Sequence, residues 1–204
     1  TRNRLTRWIW REIFLMDTLR LFVPYDSRRQ TTSTEDVARL GQPDLTPALT
    51  MIGFAMTVRR NVSLAEPFDP WLLSYSPCED TDATYRFSRH GLLVLSGKAR
   101  LHHYEVAAAR LNRHRVAALF LLNVAFFTRQ HSDDLPRHRR RYFALARRRV
   151  FAEFLKDGLG LRFRFPQVRG TLYALRRAPE IFDHPDTRLG EDYQAIQREV
   201  LTWS

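Results

Sequence analysis

Cysteine is nearly absent. Cys78 is the only one in 204 residues, which excludes a disulfide within the chain and makes a reducing, cytoplasmic setting the default. Lysine is almost as scarce: Lys98 and Lys156 are the only two among 33 lysines and arginines. Set against 22 acidic residues, this leaves a net charge of +11, carried almost wholly by guanidinium groups. Such groups favour bidentate contact with phosphate or carboxylate, and the balance suits anionic partners: nucleotide, nucleic acid or an acidic membrane face. Long apolar runs are missing as well. The longest, Val116 to Phe127, is interrupted by Asn123, is too short to span a bilayer and reads as a buried helix. Neither an initiator methionine nor a secretory h-region with a cleavage site follows from Thr1. With helical spacing starting almost at once, the chain reads as beginning inside a longer protein. No repeat or low-complexity tract occurs.

What is present is enough for a packed core, with 44% hydrophobic and 12% aromatic residues. Leu5, Ile9, Ile13, Met16 and Leu19 recur at helical spacing, widened by Trp8, Trp10 and Phe14, and predict an amphipathic helix over Arg2 to Phe22. Residues 24–47, rich in Pro, Gly and polar side chains, read as a long loop. Met51 to Val58 reads as an apolar strand ending at Arg59-Arg60, and Gly91 to Leu95 as a second. The remainder is mainly helical: Tyr104 to about His131, then Arg137 to Asp157 closed by Gly158. Leu161, Phe163 and Phe165 alternate with Arg162 and Arg164, the pattern of a short amphipathic strand or of an edge lying on a membrane surface. Residues 170–204 read as weakly helical, broken by Pro179 and Pro185. Three regions result: 1–45, helix and loop; 46–105, which carries the chemistry; and 106–204, mainly helical.

The chemistry concentrates in Glu79, Asp80 and Asp82. Three acids within four residues repel and shift one another's pKa values, so their proximity needs a reason. His102 and His103 lie some twenty residues downstream, and carboxylates beside imidazoles can act as general base and metal ligand. A structural reading stands beside this one: acids after Pro77-Cys78 can cap a helix over Thr84 to Arg89, and the two histidines can simply be hydrogen-bonded.

In order along the chain come Gly53, Arg59-Arg60, Phe68-Asp69, Glu79-Asp80-Thr81-Asp82, Tyr85-Arg86, Gly91 and His103. This ordered series over roughly residues 46–105 resembles the acceptor half of family 2 glycosyltransferases. The resemblance implies an α/β fold of the GT-A type, here its C-terminal part, with a short mixed sheet and long helices. It implies an inverting transfer of sugar from a nucleotide-sugar donor to a hydroxyl of a glycan, a lipid-linked molecule or a small molecule. Asp80 would be the general base, Glu79 would hold the site or the acceptor, and Asp82 would orient the following helix or contact the acceptor. Arg59, Arg60 and Trp71 would also face the acceptor. His103, or His102 if the register slips by one, would close on a divalent metal (Mg or Mn) and the leaving diphosphate. Asp80-Thr81-Asp82 also matches an Asp-x-Asp metal motif, but Phe68-Asp69 before it and His103 after it place it in the acceptor half. The nucleotide-binding half that normally comes first has no counterpart in residues 1–45, so the chain is expected to be inactive alone. Its expected location is cytoplasmic, extending to the inner face of the plasma membrane through its basic helices.

The alternative is a nucleic-acid-binding module built on Arg137, Arg139, Arg140, Arg141, Arg147, Arg148 and Arg149. Only charge supports it. No familiar DNA or RNA motif appears, and no stacking aromatics interleave the arginines in a patterned way.

Overall fold

The computed structural model describes residues 31–74, 76–104 and 111–203, together with Arg4 and Trp8. Arg4 and Trp8 are helical; the rest of the predicted helix over residues 2–22 lies outside the described residues. Two compact units emerge, one containing Ser27–Leu72 and Cys78–Arg110, the other containing Leu73–Pro77 and Leu111–Ser204.

The first unit is a small mixed assembly. Helix α1 (Thr34–Ala38) arises inside the predicted loop because Ser33 forms a capping box with Asp36: the Asp36 amide donates to Ser33 Oγ at 3.1 Å and the Ser33 amide to Asp36 Oδ2 at 3.0 Å. Strand β1 (Leu45–Pro47) pairs antiparallel with β2 (Val94–Ser96), Thr46 opposite Leu95. Helices α2 (Arg60–Ala65) and α3 (Glu79–Phe87) complete the unit. Ala48, Ala83, Phe87 and Leu93 form its core, with Met51, Met56, Val58 and Val62 packed against them.

In place of the expected mixed sheet, the described residues hold a sheet of two antiparallel strands. Met51 to Val58 is not a strand but an extended segment interrupted by a 3-10 turn, Gly53–Ala55. A strand exists through its ladder. Here the backbone groups look elsewhere: the Met51 amide donates to Thr84 Oγ1 at 3.2 Å and the Gly53 amide to Asp80 Oδ2 at 3.2 Å. Ile52 and Phe54 stay more than half or half exposed, at 57% and 50%.

The second unit is helical: α4 (Arg113–His131), α5 (Leu135–Leu159), α6 (Pro166–Phe182) and α7 (Leu189–Leu201). Helix α4 starts later than predicted because Asn112 caps it, accepting from the Arg115 amide at 2.9 Å, while Tyr104 is non-helical. Residues 117–128 are buried throughout, as the apolar run requires. Asn123 survives there because its polar atoms are satisfied. Nδ2 donates to Ser76 Oγ and to the Pro77 carbonyl, both at 2.7 Å, and Oδ1 accepts from Tyr193 OH. Asn123→Ala leaves two buried hydroxyls without this partner and is expected to lower stability by about 3 kcal/mol, read as a fall in the urea midpoint.

Asp157 on α5 caps the next helix across the turn, its Oδ2 accepting from the Gln167 and Val168 amides at 2.9 and 3.2 Å. Residues 161–165 are not the predicted strand. Leu161 and Phe165 adopt left-handed backbone, φ 54° and 46°, a conformation that costs a bulky residue about 1–2 kcal/mol. Amides in this turn bond locally, Arg162 to the Asp157 carbonyl at 2.8 Å and Phe165 to the Arg162 carbonyl at 2.8 Å, rather than sideways to a strand. Helix α5 likewise runs past Gly158 to a cap at Gly160. Pro179 does not break α6; the lost hydrogen bond is offset by burial of Ala178, Ile181 and Phe182 around it. Among the described residues no helix is long and apolar enough to cross a membrane.

Candidate active site

Helix α3 opens after Cys78, whose backbone is left-handed (φ 74°) and whose side chain makes no cap. Glu79, Asp80 and Asp82 occupy the first turn, where unpaired amides and the helix dipole favour negative charge. The structural reading of the acids as helix-starting residues therefore applies to all three, yet each meets a different environment.

Asp82 is buried, and its carboxylate receives Arg86 Nε at 3.0 Å one turn later. Arg86 also reaches Glu66 at 3.4 Å, and Glu66 meets His90 Nε2 at 3.1 Å. Burial alone would raise the Glu66 carboxyl, but the bond with His90 and the Arg86 charge outweigh it and hold Glu66 below its usual range. This chain of charges ties α3 to the end of α2. With a side chain only 1% exposed, Asp82 is not open to an acceptor.

Asp80 is half-buried. Its Oδ1 accepts from the Thr81 amide at 2.8 Å and its Oδ2 from the Gly53 amide at 3.2 Å. The neighbouring Phe54 stacks on His103, ring centroids 4.0 Å apart and 13° from parallel. The Gly53–Ala55 turn therefore gathers the acid cluster and His103, which lie more than twenty residues apart in sequence, onto one short segment. Neither contact is visible in the sequence, because residues 51–58 read as a strand, which would have sent the Gly53 amide into a ladder.

Glu79 is half-buried beside Asp80 and no described group donates to its carboxylate. Burial, then the Asp80 charge, pushes its carboxyl above the ordinary value of 4.5. The folded protein consequently binds this proton more tightly than the unfolded chain does, so Glu79 weakens the fold increasingly as pH rises from the ordinary value through the raised one. Glu79→Gln is expected to raise the melting temperature at neutral pH. The gain should vanish below pH 4.5, which parallel melts across that range would show.

The other predicted residues scatter. Trp71 is 37% exposed, and its amide donates to Asp69 Oδ1 at 2.8 Å in a turn over Asp69-Pro70-Trp71. Arg59 lines a cleft of about 420 Å³ with Met51, Val58, His90 and Leu93, a lining that does not include Asp80, His102 or His103. Arg60 is exposed at the start of α2. His102 is exposed and tilts against Tyr104 at 4.7 Å. Among the described residues no three His, Cys, Asp or Glu side chains converge into a group that could hold a metal ion.

No family model, curated protein or solved structure matches this chain.

Proposed function

We propose that residues 46–105 form the acceptor side of an inverting glycosyltransferase, with Asp80 as the general base. The observation that carries this reading is the convergence on Gly53–Phe54 of a half-buried, partly anchored carboxylate and an exposed imidazole. A sugar hydroxyl ionises poorly, so its attack on an anomeric carbon needs a base within hydrogen-bond reach. Asp80 takes the hydroxyl proton as the oxygen bonds to the anomeric carbon, and the bond from that carbon to the nucleoside diphosphate breaks, the electron pair leaving with phosphate. The Gly53 and Thr81 amides hold the Asp80 carboxylate in place, at 3.2 and 2.8 Å. Glu79, held more readily protonated by its surroundings, suits a role in donating to or positioning the acceptor.

His103, with His102 beside it, would contribute one ligand to a divalent cation whose other ligands would come from diphosphate and water. When bound, such a cation stabilises charge on the departing diphosphate. His103 is exposed, and its ring stacks on Phe54.

The test is a screen of the complete gene product. Uridine, guanosine and thymidine diphosphate sugars are offered with magnesium or manganese and a set of hydroxyl acceptors, and nucleoside diphosphate release is measured. Acceptor-dependent release with an inverted anomer in the product is the expected result. Release by none of them, or retention of configuration, sinks the reading.

A further inference from the structure

We propose that the solvent face of α5, with the turn that follows it, is a docking surface for an anionic lipid bilayer. The inference does not depend on the transferase reading, because it concerns the helical unit alone.

At about 100° per residue, positions 137, 140, 141, 144, 147, 148, 151, 154 and 155 of α5 share one side. On that side Arg137, Arg140, Arg141, Arg147 and Arg148 are all exposed. Among the described residues Arg137, Arg140, Arg147 and Arg148 form no ion pair. The arginines turned away from it are consumed by the fold. Arg139 forms a two-pronged bond to Asp183, its Nη2 at 2.8 Å from Oδ2. Arg149 pairs with Glu153 at 3.2 Å and lies over the Phe120 ring at 4.0 Å. The only two acids of the helix, Glu153 and Asp157, are buried on the opposite side. The exposed face therefore carries these five guanidinium groups and neither of the helix's two acids.

Toward its C-terminus the same face turns apolar. Phe151 is 58% exposed, Phe154 49% and Leu159 79%, and the turn adds Leu161 at 73% and Phe163 at 75%. Phe154 stacks on Phe165 at 5.2 Å, bracing the base of this group. Leu161 and Phe165 hold a left-handed backbone that bulky residues adopt only under constraint. A soluble surface rarely gathers large apolar side chains in this way without a use for them. Basic residues along one face with Leu and Phe beside them is the pattern of a helix lying in a lipid interface, where guanidinium groups meet phosphate and the apolar tip enters the acyl boundary. Nucleic acid would satisfy the arginines but gains nothing from Leu159 and Leu161, and the aromatics stand at one end instead of alternating with the arginines as stacking requires.

The test is flotation of the full chain with phosphatidylcholine vesicles, with and without phosphatidylglycerol, at low and high salt. Binding to the anionic vesicles alone, weakening with salt, is the expected result. Arg147→Glu with Arg148→Glu should lower the partition coefficient roughly 30-fold or more. Leu161→Ser with Phe163→Ser should lower it roughly tenfold or more while keeping its salt dependence. All four positions are exposed, and circular dichroism of each variant verifies the fold. Equal binding to neutral vesicles, no binding to either, or wild-type binding by the charge-reversed variant would overturn the proposal. So would tighter association with a short DNA or RNA duplex than with the anionic vesicles.

Discussion

Gly170→Val is expected to prevent the helical unit from reaching its native packing. Gly170 lies on α6 where that helix crosses α4, the most extensive helix contact in the described residues. A Cβ built there overlaps the His114 carbonyl oxygen and sits 3.0 Å from the Ala118 amide nitrogen and 3.1 Å from the Ala117 Cβ. The first two are backbone atoms of a buried helix, which cannot swing aside as a side chain would. Even Gly170→Ala, which gains about 1 kcal/mol of helix propensity, is expected to lose about 3 kcal/mol net through overpacking. The valine variant should exceed about 4 kcal/mol, the range in which point changes unfold a marginal domain. Urea titration followed by circular dichroism reads both. An alanine variant more stable than the wild type would show that the two helices do not cross this closely.

The second large effect is on chemistry. Asp80→Asn keeps the shape of the side chain and an oxygen able to accept from the Gly53 or Thr81 amide, so the local fold should persist. Losing a negative charge in the first turn of α3 costs about 0.3–1 kcal/mol, a modest shift in melting temperature. What the amide cannot do is take a proton. Removing a positioned general base lowers the rate by about 100- to 10,000-fold, so kcat should fall about 1,000-fold with little change in KM, measured on acceptor-dependent nucleoside diphosphate release. Asp82→Asn should behave in the opposite manner. It breaks a buried pair with Arg86 and is expected to cost stability, about 3–5 kcal/mol, before it says anything about catalysis.

That contrast shows where residue order stops being informative. The sequence presents Asp80 and Asp82 as near-equals two positions apart. Two positions on a helix are about 200° apart, so once α3 forms, one carboxylate faces its own Arg86 in the interior and the other faces Gly53. The burial of α4 was readable because an uninterrupted apolar run leaves no solvent side, and Asn123 within it already demanded partners. The extent of α5 was readable to within a few residues from its caps. The segment 51–58 was not readable, because apolar composition does not reveal whether a neighbouring ladder exists to make it a strand. Phe165 and Leu161 misled for the same reason: alternation with Arg162 and Arg164 matches a strand, while Asp157 reaching across to cap α6 imposes a tight turn. Pro179 should have ended α6 on local grounds, and burial of its neighbours overrode it. The pairing of His103 with Phe54 depends on two loops meeting, which spacing cannot encode.

The most direct measurement compares Asp80→Asn with Glu79→Gln in the complete gene product, reading kcat for sugar transfer to the acceptor at neutral pH, with melting temperatures taken in parallel. With Asp80 as the base, the first variant loses about 1,000-fold at an almost unchanged melting temperature, while the second loses less than about tenfold and melts higher. Transfer by Asp80→Asn at the wild-type rate, or a larger loss for Glu79→Gln than for Asp80→Asn, would contradict that assignment.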